Sequence, residues 1–280
     1  MDMSVVAAVL GAAFLHAFWN FQVRGTKDKA LGMAAVIFGH MPLAFVGILF
    51  VGIPPIEAWP FILVSAVLHL GYQVFLLNAY RFGELTEIYP IARGASPLLI
   101  TVFTMISYPE ALTFPEIIGV CMVSGAIIIY GAVQFRYAKT GLTAILLACA
   151  TGLFIASYSI VDASGTRIAE SAIGYYGAST SCNALLLAAY LIRFHPGVLQ
   201  NCYRDAPKTF IYGGNASYLA YVTVLWACLY APVAVVSSLR ETSVLFAVIL
   251  GVVFLKESLT AFKIGIILMI FAGVLILRMA

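Results

Sequence analysis

Apolar positions run along this chain in blocks of about 20 residues, the length an α-helix needs to cross a hydrocarbon core of about 30 Å. Ten such blocks stand at residues 3–23, 31–52, 58–80, 85–108, 114–134, 141–164, 172–194, 210–229, 233–255 and 259–278. The breaks between them carry turn chemistry. Pro54 and Pro55 end the second block, and Ala231 with Pro232 divides the eighth from the ninth. The run Thr113–Phe114–Pro115–Glu116 has the form of a capping box with proline near the helix start, which predicts where the fifth block begins. The connection 195–209 is long enough for an interfacial segment. The first block has no positive region before it and runs on too far for a signal peptide, so it reads as a retained span.

The pattern repeats. "RGASPLLITVFTMISYPEALT" from Arg93 and "RETSVLFAVILGVVFLKESLT" from Arg240 align at one offset of 147 residues, which also pairs Glu110 with Glu257, Leu112 with Leu259 and Thr113 with Thr260. Chance alignments of apolar sequence seldom bring a mid-helix arginine and an E-x-L-T terminus into register together. The expectation is two five-span halves, residues 1–137 and 138–280. Five is odd, so the second half inserts upside down. Inverted repeats of this kind characterise secondary transporters, with the substrate near the midplane between the halves.

Composition sharpens the fold class. The chain is 63% hydrophobic and 10% charged, against about 25% charged for soluble domains. It reads as an all-α integral membrane protein with ten transmembrane helices in two inverted five-helix repeats around a central cavity. A net charge of +3 without a basic, aromatic-interleaved run gives no reason to expect a nucleic-acid partner. The partners expected are the lipid bilayer and a small-molecule substrate, and the chain is expected as a monomer or homodimer. Eleven Lys and Arg fall on one set of loops, and only Arg167 and Arg278 on the other. The positive-inside rule makes the first side cytoplasmic and sets both termini outside. The five cysteines have no CxxC or Cys/His spacing, and four lie within apolar segments, where they act as small hydrophobes. No metal site or cofactor is expected. Nucleotide-binding, HExxH and GxSxG motifs are absent, which argues against an enzyme.

Polar residues inside the blocks are then the informative ones. Arg93 lies eight residues into the fourth block, about 12 Å along a helix, and Arg240 lies at similar depth in the ninth. A central arginine costs about 2.5–3.5 kcal/mol on insertion scales, so such a residue faces a bundle interior or a watery cavity. Two readings are open. Arg93 can pair internally with Glu87 or Glu241, and Arg240 with Asp162. Alternatively at least one guanidinium holds an anionic substrate group bidentately. The two can alternate during a transport cycle. Glu241, Asp162 and Glu87 are the acids placed to balance charge or carry a proton. His16, Trp19 and Asn20 share the first block; His69, Gln73 and Tyr80 the third; Tyr89 and Ser96 flank Arg93 in the fourth. Tyr158 stands four residues before Asp162, and Asn215 and Tyr218 share the eighth block. Trp19, Asn20, Gln73, Tyr80, Tyr89, Tyr158, Asn215 and Tyr218 join the two arginines as candidate substrate residues. Their rings could also hold an ammonium group. His40 reads as structural or interfacial. Pro90, Gly94 and Pro97 predict a kinked or unwound fourth span.

The whole chain resembles the drug/metabolite transporter superfamily, EamA type. The motifs that carry the likeness are "HAFWN" (16–20), "AYRFGELTEIYPIARGASP" (79–97), "YSIVDASGTR" (158–167) and "LRETSVLFAVILGVVFLKESLT" (239–260). The resemblance implies an ATP-independent carrier of small metabolites. Members often export amino acids or related compounds, and relatives move sugar phosphates and nucleotide sugars. Ten-span members are often described with cytoplasmic termini, whereas the loop charges here favour the reverse. The reading is an inner-membrane, multi-pass secondary transporter of a small anionic or zwitterionic metabolite, working by alternating access with a role for proton coupling. The cavity is expected between spans one, three, four, six, eight and nine, with spans five and ten peripheral or forming a dimer contact. A lipid flippase, an ion channel and a membrane enzyme are the other classes the sequence leaves open.

Overall fold

The computed structural model describes residues 2–26, 28–79, 81–82, 85–107, 112–137, 141–255 and 260–280, without the side chains of 24, 85–91, 134–137, 250–252 and 254–255. Helix makes up 88% of it and no strand occurs among the described residues, so the fold class is all-α. Among the described residues, six helical stretches are long and apolar enough to span a bilayer, or seven if the pair Ala172–Phe194 and Val198–Asp205, bent by 109°, counts as one.

Local chemistry starts the helices. Asp2 accepts the Ser4 N–H at 2.9 Å and caps α1 (Met3–Arg24). Asp28 accepts from Ala30 and Leu31 at the head of α2 (Lys29–Gly39). The capping box forms at α6 (Phe114–Tyr137): Thr113 N–H donates to Glu116 Oε2 at 2.7 Å, and Glu116 N–H donates back to Thr113 Oγ1. Thr260, offset from Thr113 by the repeat, accepts the Lys263 N–H at the head of α13 (Ala261–Met279). Such side chains satisfy N–H groups that have no partner within the helix.

The helix interruptions fall in unexpected places. α5 (Leu85–Ser107) stays helical through Pro90, Gly94 and Pro97, so the fourth block is not unwound there. Proline has no N–H to give, and Pro97 frees the carbonyl of Arg93 without ending the helix. The second block is instead divided at His40 between α2 and α3 (Met41–Val51), where Pro42 occupies the first turn. The ninth is divided at Glu241 and Thr242, between α11 (Val233–Arg240) and α12 (Ser243–Leu255). There Ser and Thr hydroxyls compete with the helix ladder: Thr242 Oγ1 donates to the Leu239 carbonyl at 2.7 Å and Ser238 Oγ to the Ala234 carbonyl at 2.9 Å. A short π-helical turn, Thr209–Gly213, leads into α10 (Gly214–Ala227). Before it, α9 (Val198–Asp205) occupies the long connection.

Packing pairs the helices in a recurring way. α4 (Trp59–Ala79) packs on α7 (Leu142–Ala169) as α10 packs on α1. α4 meets α8 (Ala172–Phe194) as α10 meets α2, and α5 meets α7 as α11 and α12 meet α1. α3 lies on α8, and α6 on α13. The α6–α13 contact is backbone-close. A Cβ on Gly273 would stand 3.0 Å from the Gly119 carbonyl, and one on Gly119 would stand 2.6 Å from Leu277 Cγ. The fifth and tenth blocks thus cover each other within the chain. Outward, Phe45, Leu49, Phe50, Ile106 and Leu185 stand exposed, an apolar surface of the kind a bilayer covers.

Candidate functional site

The site begins with helical stripes. His16, Trp19, Asn20 and Val23 on α1 and His69, Tyr72, Gln73 and Leu76 on α4 both follow the i, i+3, i+4, i+7 spacing of a single helix face. Both stripes line one cavity of about 100 Å³, joined by Arg93 from α5, Tyr158 from α7, Tyr176 from α8, Ser217 and Tyr221 from α10, and Arg240 from α11.

Two buried charge clusters stand at its wall. In the first, Arg93 Nε donates to Glu241 Oε2 at 2.8 Å, with both side chains almost wholly buried. Arg240 Nη2 is 3.6 Å from Glu241 Oε1, beyond hydrogen-bond reach. Among the described residues, Arg240 Nε and Nη2 have no hydrogen-bond partner. One carboxylate therefore stands between two guanidiniums, and the group keeps one net positive charge. The turn after α11 makes this possible, because it aims Glu241 at α5 while Arg240 stays on the cavity.

In the second cluster the fully buried Asp162 of α7 collects three partners. Tyr221 OH donates to its Oδ2 at 2.6 Å, Tyr175 OH to its Oδ1 at 3.0 Å, and His69 Nε2 lies 3.0 Å from Oδ2. The His69 ring stacks on Tyr158, centroids 4.0 Å apart, and meets Tyr221 edge-on. Tyr72 edges Tyr158, and Tyr176 lies against Tyr221. Rings thus form much of the wall opposite the guanidiniums.

The other sequence candidates divide. Trp19 and Asn20 line the cavity; Trp19 donates its indole N–H to His16 Nδ1 at 3.2 Å, and Asn20 donates to the His16 carbonyl. Gln73 lines it too, but its amide is engaged with Asn183 of α8, Nε2 donating to Oδ1 at 2.9 Å. Asn215 and Tyr218 are not among the lining residues. Tyr218 packs against His40 and Tyr176, and its hydroxyl has no partner among the described residues. Ser217 and Tyr221 take the cavity face of α10 in their stead. Tyr80 and the side chains of Tyr89 and Glu87 lie outside the described residues. The structure joins Arg93 to Glu241, and it pairs Asp162 with His69 rather than with Arg240. Tyr175 and Tyr221 escaped the sequence reading, since a tyrosine in an apolar helix carries no sign of its partner.

Lys29 lines the cavity and also a wider vestibule of about 660 Å³ that includes Arg81 and His195. These residues belong to the basic set of loops, so the vestibule on that side and the cavity share Lys29 as a wall. Toward the other side, Arg167 donates from Nε to the Cys228 carbonyl at 3.0 Å and from Nη2 to the Ala231 carbonyl at 3.3 Å, tying α7 to the turn between α10 and α11. No cluster of His, Cys, Asp and Glu among the described residues suits a metal ion.

Comparison with known proteins follows this geometry. Residues 142–279 match the model of the EamA-like transporter family. No curated protein matches the chain. A solved structure described only as a crystal structure of a protein superposes with a TM-score of 0.77 at 19% identity, covering 100% of this chain and 98% of its own. At that identity the likeness concerns the fold.

Proposed function

Residues 142–279 belong to the EamA-like transporter family of the drug/metabolite superfamily, and from that premise we propose that the chain carries a small anionic or zwitterionic metabolite across the membrane by alternating access. The observation that carries the substrate class is Arg240. A buried guanidinium with two nitrogens lacking partners among the described residues, on the wall of a cavity and beside a carboxylate already held by Arg93, suits an anion's oxygens. The rings of Tyr72, Tyr158 and Trp19 suit an ammonium at the other end of an amino acid. Organic acids fit the same guanidinium.

The architecture we favour is ten spans in two inverted halves, 1–137 and 138–280. The 147-residue offset supports it, as do the exchangeable packing pairs of α4 on α7 with α10 on α1 and of α5 on α7 with α11 on α1. Halves related in this way can rock about a cavity between them. The wall that the cavity shares with the vestibule among the basic loops favours reading this as the cytoplasm-facing state, with the Arg167 tie closing the opposite face. The inner membrane is the location that fits such a carrier.

The test is a thermal-shift panel of amino acids, organic acids, phosphonates and quaternary amines on wild type and Arg240→Gln. Ligands of the folded state raise its apparent stability. An anion or zwitterion should stabilise wild type and lose at least tenfold in affinity for the variant. Equal stabilisation of both, or stabilisation by quaternary amines alone, would overturn the anion site. A positive ligand then goes to flux measurements in liposomes.

A further inference from the structure

We infer that His69 and Asp162 form a proton-binding site linked by charge to the anion site at Arg240, so that net negative charge arriving in the cavity favours a proton on His69. This rests on the carrier reading above, and it singles out one group among the acids and histidines in the interior.

The first step is the isolation of Asp162. It is fully buried, and no Lys or Arg lies within ion-pair distance of it among the described residues. Two phenols and one imidazole hold its carboxylate. Phenols donate hydrogen bonds but ionise only near pH 10 in water, so His69 is the partner that can change its charge near neutrality. His69 also lines the cavity, whereas Asp162 does not. With Nε2–H donating to Asp162, a proton arriving through the cavity lands on Nδ1. The ring becomes imidazolium, its bond to the carboxylate becomes an ion pair, and no other bond changes.

The second step is charge balance. Among the described interior residues, Arg93 and Arg240 are balanced by Glu241 and Asp162 while His69 is neutral. An anion at Arg240 tips the interior negative by its own charge. In a poorly solvated interior that charge must be compensated. Arginine has no proton to gain. Glu241 is fixed between two guanidiniums. His16, on α1, lines the same cavity as Arg93 and Arg240, so a proton on it would add a third positive charge beside theirs. His40, at the α2–α3 junction, bonds Thr180 through Nδ1 and has its Nε2 buried without a partner among the described residues, with no carboxylate recorded beside it. Among the described residues, phenols crowd the dyad: Tyr158 stacks on the His69 ring, Tyr72 edges Tyr158, and Tyr176 of α8 lies against Tyr221. Lys29 at the mouth, Arg167 at the far end and Glu57 before α4 are in contact with solvent and screened. His69 is the group left to respond. The linkage is reciprocal, so a proton on His69 tightens the anion by the same factor. A monoanion raises the proton affinity of His69, and a zwitterion without net charge leaves it unchanged.

The test needs no ligand, because removing a positive charge imitates an anion's arrival. The full chain in nanodiscs, labelled with ¹⁵N-histidine, is titrated by NMR, and His69 is assigned by the signal lost in His69→Gln. The titration reads the midpoint at which His69 takes up its proton. In Arg240→Gln its midpoint should rise by about one pH unit, a tenfold gain in proton affinity, as expected for charges roughly 10 Å apart at an effective dielectric of about 20. Asp162→Asn should lower the midpoint. If that variant does not fold, Tyr221→Phe keeps the carboxylate, removes one of its donors and should raise the midpoint. A His69 that does not titrate, or a midpoint unmoved by Arg240→Gln, overturns the proposal. A moved midpoint with no stabilising anion in the thermal panel leaves the proton site standing and removes the substrate reading. A stabilising anion with an unmoved midpoint does the reverse.

Discussion

Glutamine substitutions at Arg93, Arg240 and Glu241 should rank in an order that only the triad geometry predicts. Glu241→Gln leaves two buried guanidiniums facing each other without a carboxylate. Arg93→Gln breaks the 2.8 Å pair but leaves Glu241 beside Arg240 at 3.6 Å. Arg240→Gln leaves the Arg93–Glu241 pair untouched and removes a group with two unpartnered nitrogens. Breaking a buried pair by removing one partner costs roughly 3–5 kcal/mol, and Glu241→Gln belongs at or above the top of that range because two charges are stranded. Arg93→Gln should fall near its lower end. Arg240→Gln should cost under about 1 kcal/mol, since it forfeits no hydrogen bond among the described residues. At about 2–4 °C per kcal/mol for chains of this size, Glu241→Gln should lower the melting temperature by roughly 10–20 °C and Arg240→Gln by less than about 4 °C. Melting curves in one detergent, followed by tryptophan fluorescence, read all three. The double variant Arg93→Gln/Glu241→Gln should melt above Glu241→Gln alone, since it strands one charge fewer. If Arg240→Gln is as damaging as Glu241→Gln, or the double variant melts lowest, the triad is not arranged as described and Arg240 is a structural pair.

The tyrosines should separate in the same assay. Tyr175→Phe removes a donor from the buried Asp162 carboxylate and should cost about 1.5–3 kcal/mol, whereas Tyr218→Phe removes a hydroxyl without a partner and should cost under about 0.5 kcal/mol. Gln73→Leu unpairs the Asn183 amide and should cost about 1 kcal/mol, with part of it regained in Gln73→Leu/Asn183→Leu. Gly39→Val should separate α2 from α10: its Cβ would enter the Phe210 carbonyl and stand 3.0 Å from Gly214 Cα, backbone atoms that cannot rotate away, for a cost of about 1–3 kcal/mol.

Much of the helical layout was legible because its signal is collective. Blocks of apolar residues, prolines and the Thr113–Glu116 box mark helix starts without any knowledge of neighbours, and Tyr158 with Asp162 share a face by spacing alone. Helix phase was harder. α10 is apolar on nearly every side, so Asn215 and Tyr218 were chosen as its polar stripe when the cavity in fact receives Ser217 and Tyr221. His69 and Gln73 share a face by spacing, but only packing reveals that Gln73 is spent on Asn183 and His69 on Asp162. The interruptions misled for a physical reason. Proline weakens one rung of a membrane helix that tertiary contacts can still hold, while the hydroxyl-rich run Ser237–Ser238–Leu239–Arg240–Glu241–Thr242–Ser243 offers the backbone alternative partners at several successive positions.

The 147-residue offset sets the charges of the site side by side. Arg93 and Arg240 are equivalent positions, but the residues after them are not: Glu241 answers to Gly94. A Cβ on Gly94 would stand 2.8 Å from Ile128 Cγ1 and 3.2 Å from the Ile128 backbone nitrogen, so α5 lies too close on α6 for any side chain there. The first half therefore cannot supply an acid at this position, and the second half can because α11 ends in a turn just where Glu241 leaves it. Asp162 is equally one-sided, since its equivalent by the same offset is Leu15. A symmetric pair of halves would carry two arginines and two glutamates and close on itself as two neutral pairs. This chain has one glutamate for two arginines at the cavity wall and keeps its second carboxylate away from them, on a histidine. In the carrier reading proposed above, a guanidinium is left for an anion and a histidine for a proton because position 241 admits a carboxylate where position 94, packed on α6, does not.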